Sequence, residues 1–218
     1  MHDRELRKLH LVRHAESVWN GERRVQGTCP GVLLSERGRE QAHLLGKRLR
    51  RMEFSAVFSS DAERAVETAR IALGEGREIS LHPELRELTL GAWEGRLIGE
   101  LRKEALDQVD LWYRAPTKVE IEGAENLYAF RDRVVSAIDG LIDSPGEDDL
   151  LVFTHGGVIC TYLTHIFEMD LDDLWSFSLP NASITSIVLD FRPRLSSFGD
   201  TAHLMGDAFS LDGMSSVF

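Results

Sequence analysis

Short apolar runs alternate along the chain with longer stretches that carry the features of helices. The apolar runs, each of strand length, are 9–12, 56–58, 79–81, 150–153 and 184–189. The stretches predicted to be helical are 35–52, 61–73, 97–109, 125–143 and 156–168. Because single strands alternate with helices, the pattern predicts an α/β sandwich built on a mostly parallel sheet.

Two of the predicted helices have recognisable start signals. Ser35 is a residue type that caps helix N-termini, and a stripe of apolar residues follows it at helical spacing. Asp61 is the predicted cap of the helix at 61–73, which would place Arg64 in that helix's first turn.

Polar residues follow the predicted strands at the positions where parallel sheets bind ligands. Arg13 and His14 come directly after the first strand, and His155 comes after the strand at 150–153. Arg64 lies shortly after the second strand, at 56–58. Because the carboxyl ends of parallel strands meet at one edge of a sheet, we expect these groups to converge there.

Length and charge limit the classes of protein that fit the chain. Its 218 residues, 43% of them hydrophobic and 28% charged, suffice for one domain with a substantial core. The formal net charge of −11 disfavours binding to nucleic acid or to an anionic membrane. The charge is uneven, however, because residues 1–70 carry 14 basic and 10 acidic side chains. This distribution is compatible with a local anion site in the first third.

Cysteine content and missing motifs exclude several other classes. Cys29 and Cys160 are too few for a disulfide framework, so we expect a cytoplasmic protein. The N-terminus lacks the apolar segment of a signal peptide, and the apolar stretch 150–167 is interrupted by polar residues and glycines. The chain contains no P-loop motif, and its eight histidines show no metal-ligand spacing. We therefore expect no membrane span, no metal and no cofactor.

Six blocks of the sequence match the motifs of one known family, in that family's order. The first block is LVRHAESVWN at 11–20, and the others are 25–42, 59–69, 85–95, 154–157 and 180–183. Together they resemble the histidine phosphatase superfamily, the phosphoglycerate mutase-like proteins. The resemblance implies a three-layer α/β/α sandwich with a mostly parallel central sheet. We further expect a single domain over 1–205, with a small helical excursion at about 97–126, and a flexible tail at 206–218.

The resemblance assigns a role to each residue expected at the sheet edge. His14 would be the nucleophile and would form a phosphohistidine intermediate. Glu87 would protonate the leaving oxygen and then activate water. Arg13, Arg64 and His155 would bind the oxygens of the transferring phosphoryl group. These groups supply positive charge, so no metal is implied.

Residues beside these motifs are candidates for contacts with the substrate. They are Asn20, Arg23, Arg24, Gln26, Gly27 and Gly156. For Arg23 and Arg24, a solvated turn is as good an explanation as a substrate contact. Leu90 stands where some relatives acting on phosphoserine carry a histidine, so phosphoserine is allowed without being favoured. His203 is better explained as a packed or surface residue than as part of the site.

The resemblance leaves alternatives to the favoured function, a metal-independent phosphatase of small phosphomonoesters. One is a cofactor-dependent phosphoglycerate mutase, which uses the same groups. Mutases usually carry a longer segment between the acid and the second histidine than the 67 residues between Glu87 and His155. The other, a non-catalytic phosphoryl-binding module, is disfavoured because all five core groups are present. The expected partner is a small phosphorylated metabolite, with no nucleic acid and no membrane; a homodimer stays open.

Overall fold

A six-stranded mixed sheet forms the centre of the computed structural model, which describes residues 6–143, 145–146 and 148–205. Its strands are β1 (Lys8–Arg13), β2 (Phe54–Ser59), β3 (Ser80–Leu81), β4 (Asp149–Thr154), β5 (Ile184–Val188) and β6 (Arg194–Asp200). Their order is β3-β2-β4-β1-β5-β6. The first four of these pair in parallel, whereas β5 is antiparallel to both β1 and β6. The predicted α/β fold is confirmed; the predicted tail at 206–218 lies outside the described residues.

Helices connect the strands and cover both faces of the sheet. They are α1 (Val18–Gly21), α2 (Glu36–Leu49), α3 (Glu63–Leu73), α4 (Ile98–Glu104), α5 (Leu106–Arg114), α6 (Leu127–Ile142) and α7 (Gly156–Ile166). Short 3-10 helices are Pro83–Leu85, Gly91–Trp93, Pro116–Lys118, Leu171–Ser176 and Ala202–Leu204. No helix of the described residues combines the length and the apolar character needed to cross a membrane.

Alternate residues of the central strands pack into different layers. Leu11 of β1 and Val152 of β4 belong to a buried cluster that includes residues of α6 and α7. Their neighbours Val12 and Phe153 belong to a second cluster with residues of α2 and α3. This alternation follows from the two-residue period of a strand, and it explains why the run at 150–153 is apolar at every position.

The two predicted helix caps have different outcomes. Ser35 does cap α2, because its Oγ accepts a hydrogen bond from the Gly38 N–H at 2.9 Å. The prediction for Asp61 is wrong: Ala62 is the residue before α3, without a side-chain cap. The Asp61 carboxylate instead accepts two hydrogen bonds from the guanidinium of Arg86, at 2.6 and 2.5 Å.

Two further differences between the predicted and the observed secondary structure occur in segments with a weak hydrophobic pattern. The single helix predicted at 97–109 is two helices, α4 and α5, which meet at Ala105. Strand β6 has no predicted counterpart, because its sequence RLSSFGD carries only two large apolar residues and most of its positions are exposed or half-buried. Pairing with β5 supplies the order that its own sequence does not indicate.

Two helical glycines give a test of the packing between α2 and α3. A Cβ at Gly46 of α2 would lie 2.4 Å from the carbonyl oxygen of Ala72 in α3, whereas a Cβ at Gly140 of α6 would have no neighbour within 4 Å. We expect Gly46→Ala to lower the free energy of unfolding by about 1–3 kcal/mol, because the two backbones must separate. Gly140→Ala should raise it by about 0.5–1 kcal/mol. Urea unfolding followed by circular dichroism would measure both, and equal effects would contradict the close contact.

Candidate active site

Two adjacent parallel strands deliver the central residues of the site. Arg13 ends β1 and Thr154 ends β4, and the two are paired in register. His14 and His155 follow directly, so that their ring centroids lie 5.3 Å apart. Arg64 reaches the same place from the first turn of α3. The convergence expected from the sequence therefore takes place at the carboxyl edge of the sheet.

An open cavity lies at this edge. It is lined by Arg13, His14, Asn20, Gln26, Gly27, Arg64, Glu87, Leu88, Leu90, Trp112, Gly156, Gly157 and Trp175. Eight of the predicted site residues are in this lining, and His155 contacts it through Arg64. The other five lining residues are not among the predicted catalytic or substrate-binding residues; they are Leu88, Leu90, Trp112, Gly157 and Trp175.

The imidazole of His14 is buried and held as a neutral group with a defined tautomer. Its Nδ1 lies 2.8 Å from the carbonyl oxygen of Ala15, which can only accept, so Nδ1 carries the proton. Burial lowers the pKa of His14 well below its ordinary value, and the positive charges of Arg64 and Arg13 lower it further. Nε2 therefore keeps its lone pair at neutral pH, which is the form a nucleophilic histidine needs.

Two buried arginines lie beside this imidazole. Arg64 donates from Nε to His14 Nε2 at 3.3 Å and from Nη2 to the Gly27 carbonyl at 2.8 Å, and Arg13 donates from Nη1 to the Leu179 carbonyl. Burial lowers the pKa of Arg64 to about 10, so this side chain stays charged at neutral pH. Arg13 Nε and Arg64 Nη1 are buried without a hydrogen-bond partner among the described residues. Unpaired buried donors of this kind suit the oxygens of an anion.

His155 is a second neutral imidazole next to Arg64. Its Nδ1 lies 3.1 Å from Arg64 Nη2, which can only donate, so the proton is on Nε2 and is donated to Ser60 Oγ at 2.9 Å. Burial, and then the charge of Arg64 and the proximity of His14, lower the pKa of His155 well below its ordinary value. The residue also precedes the first turn of α7, where the helix dipole adds positive potential.

The carboxylate of Glu87 is positioned on the cavity wall by backbone groups. Its Oε2 accepts a hydrogen bond from the Gly157 N–H and its Oε1 accepts one from the Leu88 N–H, both at 2.9 Å. A Cβ at position 157 would lie 2.3 Å from Glu87 Oε1, so only glycine allows this approach. The arrangement fixes a single carboxyl group in the same cavity as the two buried arginines, as proton transfer to or from a reacting oxygen would require.

Two predicted substrate contacts lie away from the cavity. Arg23 is exposed and has a φ of 57°, and Arg24 pairs with Glu22 at 2.5 Å and donates to the Gly95 carbonyl at 2.9 Å. Neither lines the cavity, because the turn after α1 directs its backbone toward Ile98 and Gly95. The local sequence gives no signal that distinguishes this arrangement from a substrate contact.

The described residues show no metal-binding cluster. No group of three or more His, Cys, Asp or Glu side chains within the described ranges could hold a metal ion.

The predicted substrate contact Asn20 is hydrogen-bonded to a second asparagine. Asn20 Oδ1 accepts a hydrogen bond from Asn181 Nδ2 at 3.1 Å, and Asn181 also donates to the His14 carbonyl. Asn181 therefore links the backbone of His14 to a second side chain of the cavity.

Comparison with known proteins gives this geometry a family. The model of the histidine phosphatase superfamily (branch 1) matches residues 9–200, which include every residue of the site just described. The chain belongs to this superfamily. The resemblance found in the sequence is confirmed, and so is the expectation of an enzyme of the histidine phosphatase type.

Its relatives include both phosphatases and mutases by name. This histidine phosphatase is 33% identical to phosphoserine phosphatase 1 of Hydrogenobacter thermophilus, over 85% of this chain and 88% of the relative. It is 30% identical to the probable phosphoglycerate mutase GpmB of Yersinia pestis, over 90% and 94% of the two chains.

Solved structures of the superfamily superpose closely on this histidine phosphatase. Bacillus stearothermophilus YhfR matches with a TM-score of 0.83 and 34% identity, covering 90% of this chain and 98% of that one. The mycobacterial glucosyl-3-phosphoglycerate phosphatase Rv2419c, solved with VO3, matches with a TM-score of 0.82 and 26% identity, covering 89% and 100%.

Proposed function

We propose that this chain hydrolyses small phosphomonoesters through a phosphohistidine formed on Nε2 of His14, without a metal. The observation that carries the proposal is the neutral, oriented imidazole of His14 beside two buried arginines with unpaired donors. Phosphoryl transfer needs an in-line nucleophile and positive charge around the equatorial oxygens. The site supplies both from its own side chains.

The reaction has two steps that use the same groups. In the first, His14 Nε2 attacks phosphorus, the P–O bond to the alcohol breaks, and Glu87 in its protonated form gives its proton to the leaving oxygen. In the second, the Glu87 carboxylate takes a proton from water as that water attacks phosphorus. The P–N bond breaks, its electron pair returns to Nε2, and inorganic phosphate is released. Arg13, Arg64 and His155 bind the phosphoryl oxygens throughout.

A mutase would use the first step and then return the phosphoryl group to a second substrate molecule. The relative named probable phosphoglycerate mutase GpmB supports this alternative. Hydrolysis is supported by the phosphatase names of a curated relative at 33% identity, against 30% for GpmB, and of a solved neighbour at 26% identity. The 67 residues between Glu87 and His155 also leave a shorter segment than mutases usually carry.

The test follows phosphate through the enzyme. With phenyl phosphate in the presence of EDTA, we expect release of inorganic phosphate and, on rapid quenching, an acid-labile phosphoenzyme. Activity lost with EDTA and restored by Mg²⁺ would contradict the mechanism. With 3-phosphoglycerate, rapid isomerisation that depends on bisphosphoglycerate would establish the mutase instead.

The proposal extends to the partner and the compartment. A small phosphorylated metabolite fits an open cavity whose phosphate-binding groups are buried, whereas a large polyanion would need an exposed basic surface. Both cysteines are free, which is compatible with the cytoplasm.

A further inference from the structure

We propose that the enzyme selects phosphomonoesters whose alcohol is uncharged and apolar next to the phosphate, and that it discriminates against alcohols carrying a carboxylate. The inference rests on the proposed function and names the substrate class of the same site. It runs against the printed names of the two curated relatives, since phosphoserine and phosphoglycerate both carry a carboxylate.

The positive charges of the cavity are all at its phosphate-binding end. Arg13 and Arg64 flank His14 there, and no other lysine or arginine of the described residues lines the cavity. The remaining charged lining residue is Glu87, which is acidic. A phosphoryl group bound by both arginines would therefore leave no cation within the lining for a second anionic group on the same substrate.

The wall that would face the alcohol is apolar and well packed. It is formed by Leu88, Leu90, Trp112 and Trp175, and the first three are at most 5% exposed. The rings of Trp112 and Trp175 lie 5.5 Å apart, and Trp93 packs edge-on against Trp112 from 6.1 Å. Such contacts hold the wall in place, so a charged group cannot easily displace it.

One polar atom in this wall fits a neutral substrate oxygen. Trp112 Nε1 is buried and has no hydrogen-bond partner among the described residues. An indole N–H can only donate, and an ether, hydroxyl or carbonyl oxygen of the alcohol is the acceptor that it lacks. A neutral donor of this kind does not offset the cost of removing a carboxylate from water.

The space behind the wall adds negative rather than positive charge. A second cavity shares Leu88, Leu90 and Trp112 with the first and is also lined by Glu120 and Glu125. Arg133, the cation bound to Glu125 at 2.7 Å, does not line either cavity. A carboxylate directed toward the wall would thus meet apolar side chains, and beyond them the exposed Glu120 and the ion-paired Glu125 but no lysine or arginine in either lining near the wall.

Matched substrate pairs test the proposal directly. Phenyl phosphate and 4-carboxyphenyl phosphate differ by one carboxylate on leaving groups of similar acidity, as do glycerol 3-phosphate and 3-phosphoglycerate in the alkyl series. We expect kcat/KM to be lower by about tenfold or more for the carboxylated member of each pair, since its anion has no partner in the site. Equal values, or a preference for the carboxylated members, would overturn the proposal.

A positive charge placed in the wall should change the ratio of kcat/KM between carboxylated and neutral substrates. Leu90→Lys introduces a cation into the lining and should raise kcat/KM for the carboxylated substrates relative to their neutral partners. Leu106→Lys, at a position 53% exposed at the start of α5, is the matched control and should leave the ratio unchanged. A ratio that Leu90→Lys does not move would contradict the proposal, provided that circular dichroism shows the variant to be folded.

The outcomes separate this inference from the proposed function. If phosphoenzyme forms and 3-phosphoglycerate is hydrolysed faster than glycerol 3-phosphate, the selectivity is wrong and the phosphatase mechanism stands. If none of the four compounds yields phosphoenzyme or phosphate, both the proposed function and the selectivity are overturned.

Discussion

Replacing His14 with alanine is expected to reduce kcat/KM for phenyl phosphate by a factor of about 10⁴ or more, because the nucleophile is lost. The imidazole is the group whose tautomer, burial and neighbouring charges all favour attack from Nε2. No other histidine of the described residues lines the cavity. The quench experiment that traps phosphoenzyme in the wild type should find none in this variant.

The same variant should keep its affinity for phosphate. Arg13 and Arg64 retain their unpaired donors, so inorganic phosphate or vanadate should still raise the melting temperature of His14→Ala. His43→Ala, which removes an exposed histidine from α2, is the control for histidine loss as such and should be fully active. Wild-type turnover in His14→Ala would rule out the covalent mechanism.

The residues of the site differ in how readily the sequence reveals them. Arg13, His14 and His155 directly follow apolar runs, and the edge of a parallel sheet brings such positions together. Glu87 follows a 3-10 helix in a segment with no regular period, so only the resemblance to the superfamily points to it. Its position depends on the Gly157 N–H, which is a contact between segments seventy residues apart.

The apolar wall is the part of the site that local sequence patterns do not predict as a unit. Trp112 lies on α5 and Trp175 lies on the 3-10 helix Leu171–Ser176. A tryptophan at either position is equally compatible with a purely structural role in the hydrophobic core. Their common role comes from tertiary packing that no local pattern encodes. Arg23 and Arg24 differ from the wall residues, since adjacency to a motif in sequence suggests a substrate contact but neither side chain lines the cavity.

The starts of two helices show the same limits of prediction from the sequence. Ser35 is a good predictor of the start of α2 because its cap is made with its own helix. Asp61 misleads because its carboxylate is bound by Arg86, a partner from another segment. Local interactions can therefore be inferred from the sequence alone, whereas competition from distant side chains cannot.

Replacing Glu87 with glutamine is expected to have an effect that depends on the alcohol released. For glycerol 3-phosphate, kcat/KM should fall by about 10²–10⁴, because an alkoxide leaves poorly without a proton from the general acid. For 4-nitrophenyl phosphate, whose phenolate leaves unassisted, formation of the phosphoenzyme should remain fast. Hydrolysis of that phosphoenzyme still needs a base for water, so it should become rate-limiting in the variant.

A burst experiment distinguishes this role from a purely structural one. Glu87→Gln should release close to one equivalent of 4-nitrophenolate per site and then turn over slowly, with phosphohistidine accumulating on His14. Glu84→Gln, which changes an exposed carboxylate three residues away, should behave as wild type. The amide introduced by Glu87→Gln has the same shape as the carboxylate, and its one acceptor oxygen can keep the hydrogen bond from either the Gly157 or the Leu88 N–H. If the substitution instead disrupted the whole site, both steps would slow together and no burst would appear. Equal losses for alkyl and aryl substrates would therefore remove Glu87 from the proton-transfer role, whereas a burst confined to the aryl substrate would assign it to that role.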